Sequence, residues 1–328
     1  MTSTHKEESL RKTKNKLLDE NQEVILGIDI GGTKTAVLLG TVTGEVLLRA
    51  QFLTKAERAF KEYFDELTGA ISQLLMQVKC RVSVISVSVG GPLDVINGII
   101  KSPPNLPTWI NIPLKRIISE RFNLPVYVEH DGNAGALAEF YFGAGRNHKN
   151  VVFLTLGTGF GAGVILDGRL YRGTTFTAGE IGHIRASEEG PFAYGKRGSL
   201  EGFCSGAGIE KLAEVMYPAV WGDGITAKEL ATLAKKGDPN SINVFSVSGK
   251  FLGRAFAILA DLLNPEIIIL GGLGFRLRDL IIRPAMEEFE KEALPESFGA
   301  CSIVPAELDE RIGDVAALCA AIDQGNFI

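Results

Sequence analysis

The stretch Val24 to Leu39, VILGIDIGGTKTAVLL, decides how the rest of the chain is interpreted. An apolar, β-branched run ends at Asp29, the pair Gly31-Gly32 follows, and a second apolar run begins after Lys34. The pattern predicts two strands joined by a glycine turn, since glycine permits both the turn and the close approach of a ligand. Backbone N–H groups at such a tip can bind phosphate oxygens. Asp29 then stands where its carboxylate could hold a metal-bound water beside those phosphates.

A second strand, turn and strand is predicted by Val151 to Leu166, with Gly157-Thr158-Gly159-Phe160-Gly161 at its centre. The residues after these glycines have strand character, whereas a dinucleotide fingerprint requires a helix there. The Walker pattern GxxxxGK[ST] is absent from both glycine clusters. Either hairpin alone could be a purely structural turn. The two together, with Gly271-Gly272 after a third apolar strand, predict phosphate loops in two related α/β halves.

Composition limits the functional classes. The 328 residues are 45% hydrophobic and 22% charged, enough to bury a large core in two domains. A net charge of −5 gives no general reason to expect nucleic acid or an anionic membrane as partner. The longest apolar region, Phe256 to Leu273, is interrupted by polar residues, so we expect no membrane span. Residues 1–21 predict a charged flexible tail. A reduced, cytoplasmic chain is indicated by four cysteines that form no CxxC pair: Cys80, Cys204, Cys301 and Cys319.

Hydrophobic periodicity predicts further elements. Apolar residues at helical spacing predict an amphipathic helix within Thr54 to Val78. Its buried face would comprise Phe60, Phe64, Leu67, Ile71 and Leu74. Val82 to Val89 predicts a strand that ends at the turn Gly90-Gly91, and Phe251 to Leu263 predicts a buried helix.

A candidate catalytic base follows the predicted strand Pro125 to Glu129, where His130-Asp131-Gly132-Asn133 opens a helix. Moving a phosphoryl group to an alcohol requires in-line positioning, a metal that neutralises phosphate charge, and a carboxylate that accepts the hydroxyl proton. Asp131 lies at the carboxyl end of a strand, the edge at which α/β sheets bind ligands. The same residue equally suits an ordinary helix N-cap.

The motifs together resemble the actin-like ATPase and sugar kinase superfamily, and in closer detail its ROK family (repressors, open reading frames and kinases). DIGGTK at Asp29 to Lys34 resembles the family's first phosphate loop, LGTGFGAG at Leu156 to Gly163 its second, and ILGG at Ile269 to Gly272 its adenosine contact. VGGPLD, SPPNLPTW, EHDGNAGALAE and AGEIGH resemble its sugar-side motifs and lie in the family's order. The resemblance covers Val24 to Ala321.

This resemblance implies an α/β, two-domain actin-like ATPase (ribonuclease H-like) fold with glycine β-hairpin phosphate loops. The small domain would comprise residues 22–130 with the last helix, at 309–328, returning to it. The large domain would comprise residues 131–308. Family members are often dimers or tetramers, so a homodimer or homotetramer is expected.

The activity implied by the resemblance is that of an ATP- and Mg²⁺-dependent kinase acting on the 6-hydroxyl of a hexose, with glucose ahead of an N-acetylhexosamine. Asp131 would be the base, and Asp29 would hold Mg²⁺ through water. The positions matching the family's ATP contacts are Asp29, Gly31, Gly32, Thr33, Lys34, Gly157, Thr158, Gly159, Gly161, Gly271 and Gly272. Those matching its sugar contacts are Gly91, Asn105, His130, Asp131, Glu180, His183 and Glu201.

The chain departs from the family's pattern in two places. His130 stands where an Asn usually precedes the catalytic Asp; imidazole can still donate to a sugar hydroxyl, but it titrates near neutrality. The family commonly has a zinc site in which a His joins three cysteines of a CxCGxxGCxE pattern. Phe192, Tyr194 and Ser199 occupy the cysteine positions here, so we expect no structural zinc. Phe192 and Tyr194 would pack apolar surface instead, leaving His183 to serve the sugar or a neighbouring backbone group.

Two other classes of protein remain as alternatives. A sugar-responsive repressor of the same family requires an N-terminal helix-turn-helix module. The 23 residues before Val24 show no apolar helical pattern, so repression is not expected. A catalytically silent sugar-binding scaffold is disfavoured because Asp29, Asp131 and both glycine hairpins are retained.

Overall fold

Two five-stranded sheets organise the protein. The structure is a computed structural model and describes residues 22–325. The predicted tail at residues 1–21 lies outside the described residues. The strands are β1 Glu23–Ile30, β2 Lys34–Gly40, β3 Val46–Leu53, β4 Arg81–Val89, β5 Leu93–Asp94, β6 Ile99–Ile100, β7 Val126–His130, β8 Val151–Leu156, β9 Phe160–Leu166, β10 Arg169–Leu170, β11 Phe192–Ala193, β12 Lys196–Arg197, β13 Ile267–Gly272 and β14 Ser302–Pro305.

The α-helices are α1 Phe60–Leu75, α2 Leu114–Phe122, α3 Asp131–Phe142, α4 Leu200–Cys204, α5 Gly206–Met216, α6 Pro218–Trp221, α7 Ala227–Lys235, α8 Pro239–Leu263, α9 Leu273–Arg276, α10 Arg278–Glu292, α11 Pro295–Ala300 and α12 Ile312–Gln324. Short 3₁₀ turns lie at Ile181–His183 and Asp309–Arg311. The chain divides into two compact units: unit 1 contains the chain up to Ala134 and again from Arg311, and unit 2 contains Gly135–Glu310. The sequence had suggested boundaries after residues 130 and 308.

The sheet of unit 1 has the strand order β3-β2-β1-β4-β7. β1, β2 and β3 form an antiparallel meander, while β4 and β7 continue the sheet in parallel with β1. The inner strands are almost continuously apolar, as expected where helices cover a parallel sheet. α12 packs against β1 and β4, and Gly27 of β1 allows a close approach, because Leu318 of α12 lies 3.1 Å from the position that a Cβ on Gly27 would occupy.

The sheet of unit 2 repeats this arrangement in the order β10-β9-β8-β13-β14. β8, β9 and β10 are antiparallel, and β13 and β14 run parallel to β8. In both units the first two strands form a glycine hairpin, and a short turn leads to the third strand, at Thr43-Gly44 and Asp167-Gly168. The predicted pair of related halves, each opening with a strand, glycine turn and strand, is therefore present in the structure.

The buried face of α1 differs from the prediction at two positions. The helix begins at Phe60 and buries Tyr63, Leu67, Ile71 and Leu74, whereas Phe60 and Phe64 are only half-buried. Tyr63 takes the core position because its hydroxyl finds hydrogen-bond partners inside unit 1. Apolar spacing alone could not distinguish the two neighbouring rings.

The prediction that no segment could span a membrane was wrong by the criterion of length and composition. α8 has 25 residues, because residues 239–250, absent from the predicted helix, join the apolar part, and an 18-residue window within it has a mean hydropathy of 1.3. Its buried residues include Val244, Phe245, Leu252 and Phe256, and it packs against α10 and α4. These contacts are those of a core helix of unit 2.

A buried carboxylate, Glu139, joins distant parts of unit 2. It lies near the end of α3, and its two oxygens accept hydrogen bonds from the N–H groups of Ala144 at 2.8 Å, Glu307 at 3.2 Å and Leu308 at 2.9 Å. These three backbone N–H groups satisfy the buried carboxyl oxygens of Glu139. The segment after β14 is thereby fixed beside the end of α3.

Candidate active site

The turn of the first glycine hairpin is held by its own backbone and by one hydroxyl. The Gly31 N–H donates to the Lys34 carbonyl at 3.0 Å, so this N–H is used within the turn rather than presented to a ligand. The Thr54 N–H donates to the Thr33 carbonyl at 2.9 Å, and the Thr54 hydroxyl donates to the Gly31 carbonyl at 2.7 Å. β3 thus supports the hairpin that β1 and β2 form.

The hydroxyl of Thr54 belongs to a buried network. Thr35 Oγ1 lies 3.0 Å from Thr54 Oγ1 and 3.1 Å from the Tyr63 hydroxyl. Burial raises the pKa of Tyr63 above its usual range, so its hydroxyl stays protonated. The Tyr63 ring packs on Trp109 with ring centroids 4.7 Å apart. The network therefore connects the glycine turn to the loop that carries Asn105. Sequence reasoning missed it, since isolated Thr and Tyr residues give no motif.

Asn105, predicted to bind sugar, lies against the first hairpin. A Cβ on Gly32 would meet Asn105 Cβ and its carbonyl oxygen at 3.0 Å each. The Asn105 amide also lies 3.3 Å from the Cβ position of Gly90, and Asp131 Oδ2 lies 3.7 Å from the same position. Unit 1 therefore brings together the glycine turn, the turn after β4 and the predicted base.

Asp29 is a partly buried carboxylate at the end of β1. Burial, followed by the negative charges of Asp131 and Asp314, raises the pKa of Asp29 to about 7, against a hydrogen bond from Ser88 and the charge of Arg49, which lower it. Negative charges close enough to raise the pKa of Asp29 mark a place where a cation is favoured.

Asp314 and Gly313, which lie close to Asp29, were not predicted from the sequence. Asp314, in the first turn of α12, accepts hydrogen bonds from Arg49 Nε at 2.7 and 2.8 Å. Gly313 lies against Asp29, because a Cβ there would be 3.0 Å from Asp29 Oδ2. Only the return of α12 to unit 1 places these residues beside a strand nearly three hundred positions earlier.

Asp131 is the first residue of α3, and its side chain is 54% exposed. Its Oδ1 accepts a hydrogen bond from the Gly132 N–H at 2.7 Å, so Oδ2 is the oxygen on the side of Gly90. His130 Nδ1 lies 3.3 Å from Asp131 Oδ1, and the His130 ring lies against Gly91. The predicted sugar-side residues Gly91, Asn105, His130 and Asp131 are therefore neighbours in unit 1.

The second glycine hairpin is supported by a carboxylate. The Gly157 N–H donates to the Gly159 carbonyl at 2.9 Å, and the Phe160 N–H donates to Glu201 Oε2 at 3.0 Å. Glu201 lies so close that a Cβ on Gly159 would be 2.8 Å from Oε2. Ser199, buried at the start of α4, caps that helix by accepting from the Gly202 N–H and so fixes Glu201. Gly157 and Thr158 are exposed at the tip.

The end of β13 lies next to the same hairpin in unit 2. Gly272 has φ +60°, and a Cβ there would be 2.3 Å from the Leu156 carbonyl oxygen, so only glycine fits. The Gly206 N–H, at the start of α5, donates to the Gly157 carbonyl at 2.8 Å. A Cβ on Gly206 would be 2.9 Å from Leu273. The predicted ATP positions of unit 2 thus meet at one edge, together with Gly206, which sequence reasoning had not assigned.

A sequence profile of the ROK family matches residues 25–323. The chain belongs to the ROK family. Glucokinase from Thermotoga maritima is 31% identical over 306 residues, which cover 89% of this chain and 95% of that enzyme. A xylose repressor from Caldicellulosiruptor bescii is 29% identical over 313 residues, covering 90% of this chain and 77% of the repressor.

A crystal structure of a ROK family glucokinase from Streptomyces griseus, in complex with glucose and AMPPNP, superposes with a TM-score of 0.75. It is 29% identical in sequence, and the match covers 90% of this chain and 98% of that one. The predicted actin-like ATPase fold is confirmed by this likeness and by the repeated strand order of the two sheets.

The segment that carries the zinc cysteines in many ROK proteins differs from our expectation in one respect. Phe192 and Tyr194 were expected to pack apolar surface, but their side chains are 54% and 46% exposed. They lie on a two-stranded hairpin, β11–β12, which turns at Tyr194-Gly195 and projects its rings outward. The Tyr194 ring packs against His183, with centroids 4.6 Å apart and planes at 81°.

The donors in this segment do not fit a zinc ion. Phe192 has no donor atom, Ser199 is used as the cap of α4, and Cys204 is buried in α4 with its Sγ 3.8 Å from the Ser248 carbonyl. Glu180 and His183, predicted to bind sugar, are exposed in unit 2. Glu201, also predicted to bind sugar, lies against the second glycine hairpin.

The residues around Asp29 fit Mg²⁺. Among residues 22–325, no group of three or more His, Cys, Asp or Glu side chains is arranged to hold a metal. Mg²⁺ needs no such cage, because it keeps several waters and binds through one or two carboxylates and the phosphates of its substrate. Asp29 would hold the ion through water, and a cation there would offset the mutual repulsion of Asp29, Asp131 and Asp314.

Proposed function

We propose that this chain is an ATP- and Mg²⁺-dependent sugar kinase that transfers the γ-phosphate of ATP to the 6-hydroxyl of a hexose, with glucose as the preferred substrate. The observation that carries the proposal is the placement of Asp131 Oδ2 beside Gly90 and Asn105, on the same side of unit 1 as the glycine turn. The similar Thermotoga maritima protein is a glucokinase, and the Streptomyces griseus glucokinase binds glucose and AMPPNP, which supports the choice of substrates.

Asp131 performs the proton transfer in this proposal. Its Oδ1 is fixed by the Gly132 N–H, so Oδ2 accepts the proton of the sugar hydroxyl. The hydroxyl oxygen bonds to the γ-phosphorus while the bond from that phosphorus to the β-bridging oxygen breaks, and ADP leaves. Bound Mg²⁺ supplies positive charge that neutralises the phosphate oxygens. Asn105 orients the sugar from its place against Gly32.

His130 lies beside the base, with its Nδ1 3.3 Å from Asp131 Oδ1. Imidazole can donate a hydrogen bond to a sugar hydroxyl, so we expect His130→Asn, which restores the usual residue of the family, to change the relative kcat/KM values for different hexoses. Unchanged relative values would contradict a role of His130 in sugar selection.

A coupled assay of ADP release across a panel of hexoses tests the function. The panel contains glucose, mannose, fructose, N-acetylglucosamine and N-acetylmannosamine, with Mg²⁺ present and omitted. We expect the largest kcat/KM for glucose, and no sugar-dependent ADP release when Mg²⁺ is omitted. A larger value for an N-acetylhexosamine would assign that substrate class instead. Absence of sugar-dependent ADP release with every sugar would refute the kinase proposal and favour a sugar-responsive regulator.

A further inference from the structure

The β11–β12 hairpin carries an unusual residue at its turn. β11 pairs with β12 through Phe192↔Arg197 and Ala193↔Lys196, which leaves Tyr194 and Gly195 as a two-residue loop. Both have positive φ, +51° and +73°, as type I′ turns require. Gly, Asn and Asp favour that conformation, whereas an aromatic side chain is strained in it. The position therefore retains a ring at a conformational cost.

The ring of Tyr194 packs against His183, a residue of the candidate site. Its edge-to-face contact with His183 has a centroid separation of 4.6 Å and an angle of 81°, within the preferred geometry of aromatic pairs. His183 ends the 3₁₀ turn Ile181–His183, and its side chain is exposed. An exposed imidazole has several rotamers open to it, and a ring packed at its edge removes some of them.

Hydrogen bonds hold the segment around the hairpin. The N–H groups of Ala186 and Ser187 donate to the Gly198 carbonyl at 2.8 and 3.2 Å, and the Leu200 N–H donates to the Ile184 carbonyl at 2.9 Å. Lys211 Nζ, from α5, lies 3.2 Å from the Phe192 carbonyl oxygen and anchors the hairpin. The backbone of the segment is thus fixed by hydrogen bonds, whereas the His183 ring is oriented by its contact with the Tyr194 ring.

We propose that Tyr194 is a positioning residue that orients His183 for sugar binding, so that an aromatic edge replaces the zinc ion that many ROK proteins hold at this segment. The proposal rests on the proposed function for its consequence, since His183 is taken to contact sugar. In this proposal the strained turn is retained because it places the Tyr194 ring against His183. The metal is dispensable because Tyr194 supplies its orienting effect.

The decisive variant is Tyr194→Gly, because glycine relieves the positive φ and therefore should not weaken the fold. We expect an unchanged or higher thermal midpoint, an unchanged KM for ATP, and a KM for sugar raised about 3- to 10-fold, the range that corresponds to the loss of one aromatic pair. Tyr194→Phe keeps the ring and should keep the wild-type KM. Phe192→Ala, on the same hairpin, is the matched control and should change nothing.

Two measurements distinguish an effect on the orientation of His183 from a general change in the structure. In a double-mutant cycle, Tyr194→Gly should add nothing to the KM defect of His183→Ala. In ¹³C-histidine NMR, the resonance of His183, assigned by its loss in His183→Ala from among the four histidines, should shift in Tyr194→Gly and not in Phe192→Ala.

A sugar KM for Tyr194→Gly equal to that of the wild type would overturn the proposal, as would additive defects in the double variant. If wild-type protein turns over no sugar, the proposed function fails. The hairpin inference is then judged on the NMR shift alone: an unmoved His183 resonance overturns it, and a moved one retains the contact.

Discussion

The two glycine hairpins have the same strand order around them but are supported by different chemistry. In unit 1 the hydroxyl of Thr54 donates to the Gly31 carbonyl and connects to a buried chain of neutral hydroxyls. In unit 2 the carboxylate of Glu201 accepts from the Phe160 N–H. A hairpin that binds phosphate needs its unused backbone groups satisfied, and either a donor or an acceptor can do this.

The difference follows from where negative charge already lies. In unit 1, Asp131 and Asp314 lie close enough to Asp29 to raise its pKa. A further carboxylate under that turn would therefore add repulsion. Neutral hydroxyls avoid it. The hairpin of unit 2 has no such cluster among the described residues that contact it, and there a carboxylate is tolerated. This contrast is what we expect if the proposed proton-accepting and metal-holding groups, Asp131 and Asp29, act in unit 1.

Asp131→Asn tests that assignment most directly. The amide keeps an oxygen for the Gly132 N–H but cannot accept the hydroxyl proton. We expect sugar-dependent kcat to fall by about 10²- to 10⁴-fold, the usual contribution of general base catalysis. Sugar binding, measured by calorimetry without ATP, should persist. Turnover close to that of the wild type would move the base elsewhere.

Asp29→Asn removes the charge proposed to hold hydrated Mg²⁺. Groups that act on a metal through its outer ligands typically contribute 10- to 100-fold, and a loss of about that size in kcat/KM is expected. The loss should shrink as Mg²⁺ is raised. A defect insensitive to Mg²⁺ concentration would contradict the metal role.

The same variant predicts a pH effect in protein free of metal and nucleotide. The pKa of Asp29 is raised from 3.8 to about 7, so between these values the folded chain holds a proton that the unfolded chain has released. The free energy of unfolding of the wild type should therefore fall as pH rises from 4 to 7 on account of this group. Urea unfolding should show Asp29→Asn gaining stability over the wild type across that range and a constant difference above it. A difference that did not grow with pH would refute the raised pKa.

Glu201→Ala should break the support of the second hairpin. It leaves the Phe160 N–H without its acceptor, at a cost of about 1–3 kcal/mol, so a rise of about 10-fold in the KM for ATP is expected. Glu201→Gln retains an acceptor oxygen and is the control. Should the KM for sugar rise instead, the original assignment of Glu201 to sugar binding would be supported.

Thr54→Val should have the smallest effect. It removes the donor to the Gly31 carbonyl, and we expect about 1–2 kcal/mol less free energy of unfolding with a rise of a few-fold in the KM for ATP. Thr35→Val breaks the bond to Tyr63 but leaves Thr54 on Gly31, so it should cost stability with less change in KM. Equal changes in KM for both variants would show that the network, and not the single bond, holds the turn.

The sequence predicted the hairpins and the base because those features are local. A glycine pair between apolar runs and an acid after a strand are visible within ten residues. The supports were not visible: Thr54, Tyr63 and Asp314 reach the first hairpin only through the sheet and the return of α12. A family pattern also predicts which residues are missing, as at the zinc positions, but not what the replacements contact. Tyr194 and Phe192 were expected to be covered and are exposed, since Tyr194 lies in the turn of the β11–β12 hairpin and Phe192 in one of its two short strands.

The bonds of Glu139 have a consequence for how the chain is put together. This carboxylate holds the residues next to α3 and those at 307–308, which are close to the two points where unit 2 begins and ends. Unit 2 is one uninterrupted stretch whose ends are fastened at a single side chain. Such a stretch can be read as an insertion into unit 1, because segments with adjacent ends enter a host fold without stretching it. Excising residues 135–310 and joining Ala134 to Arg311 would test whether each unit folds by itself.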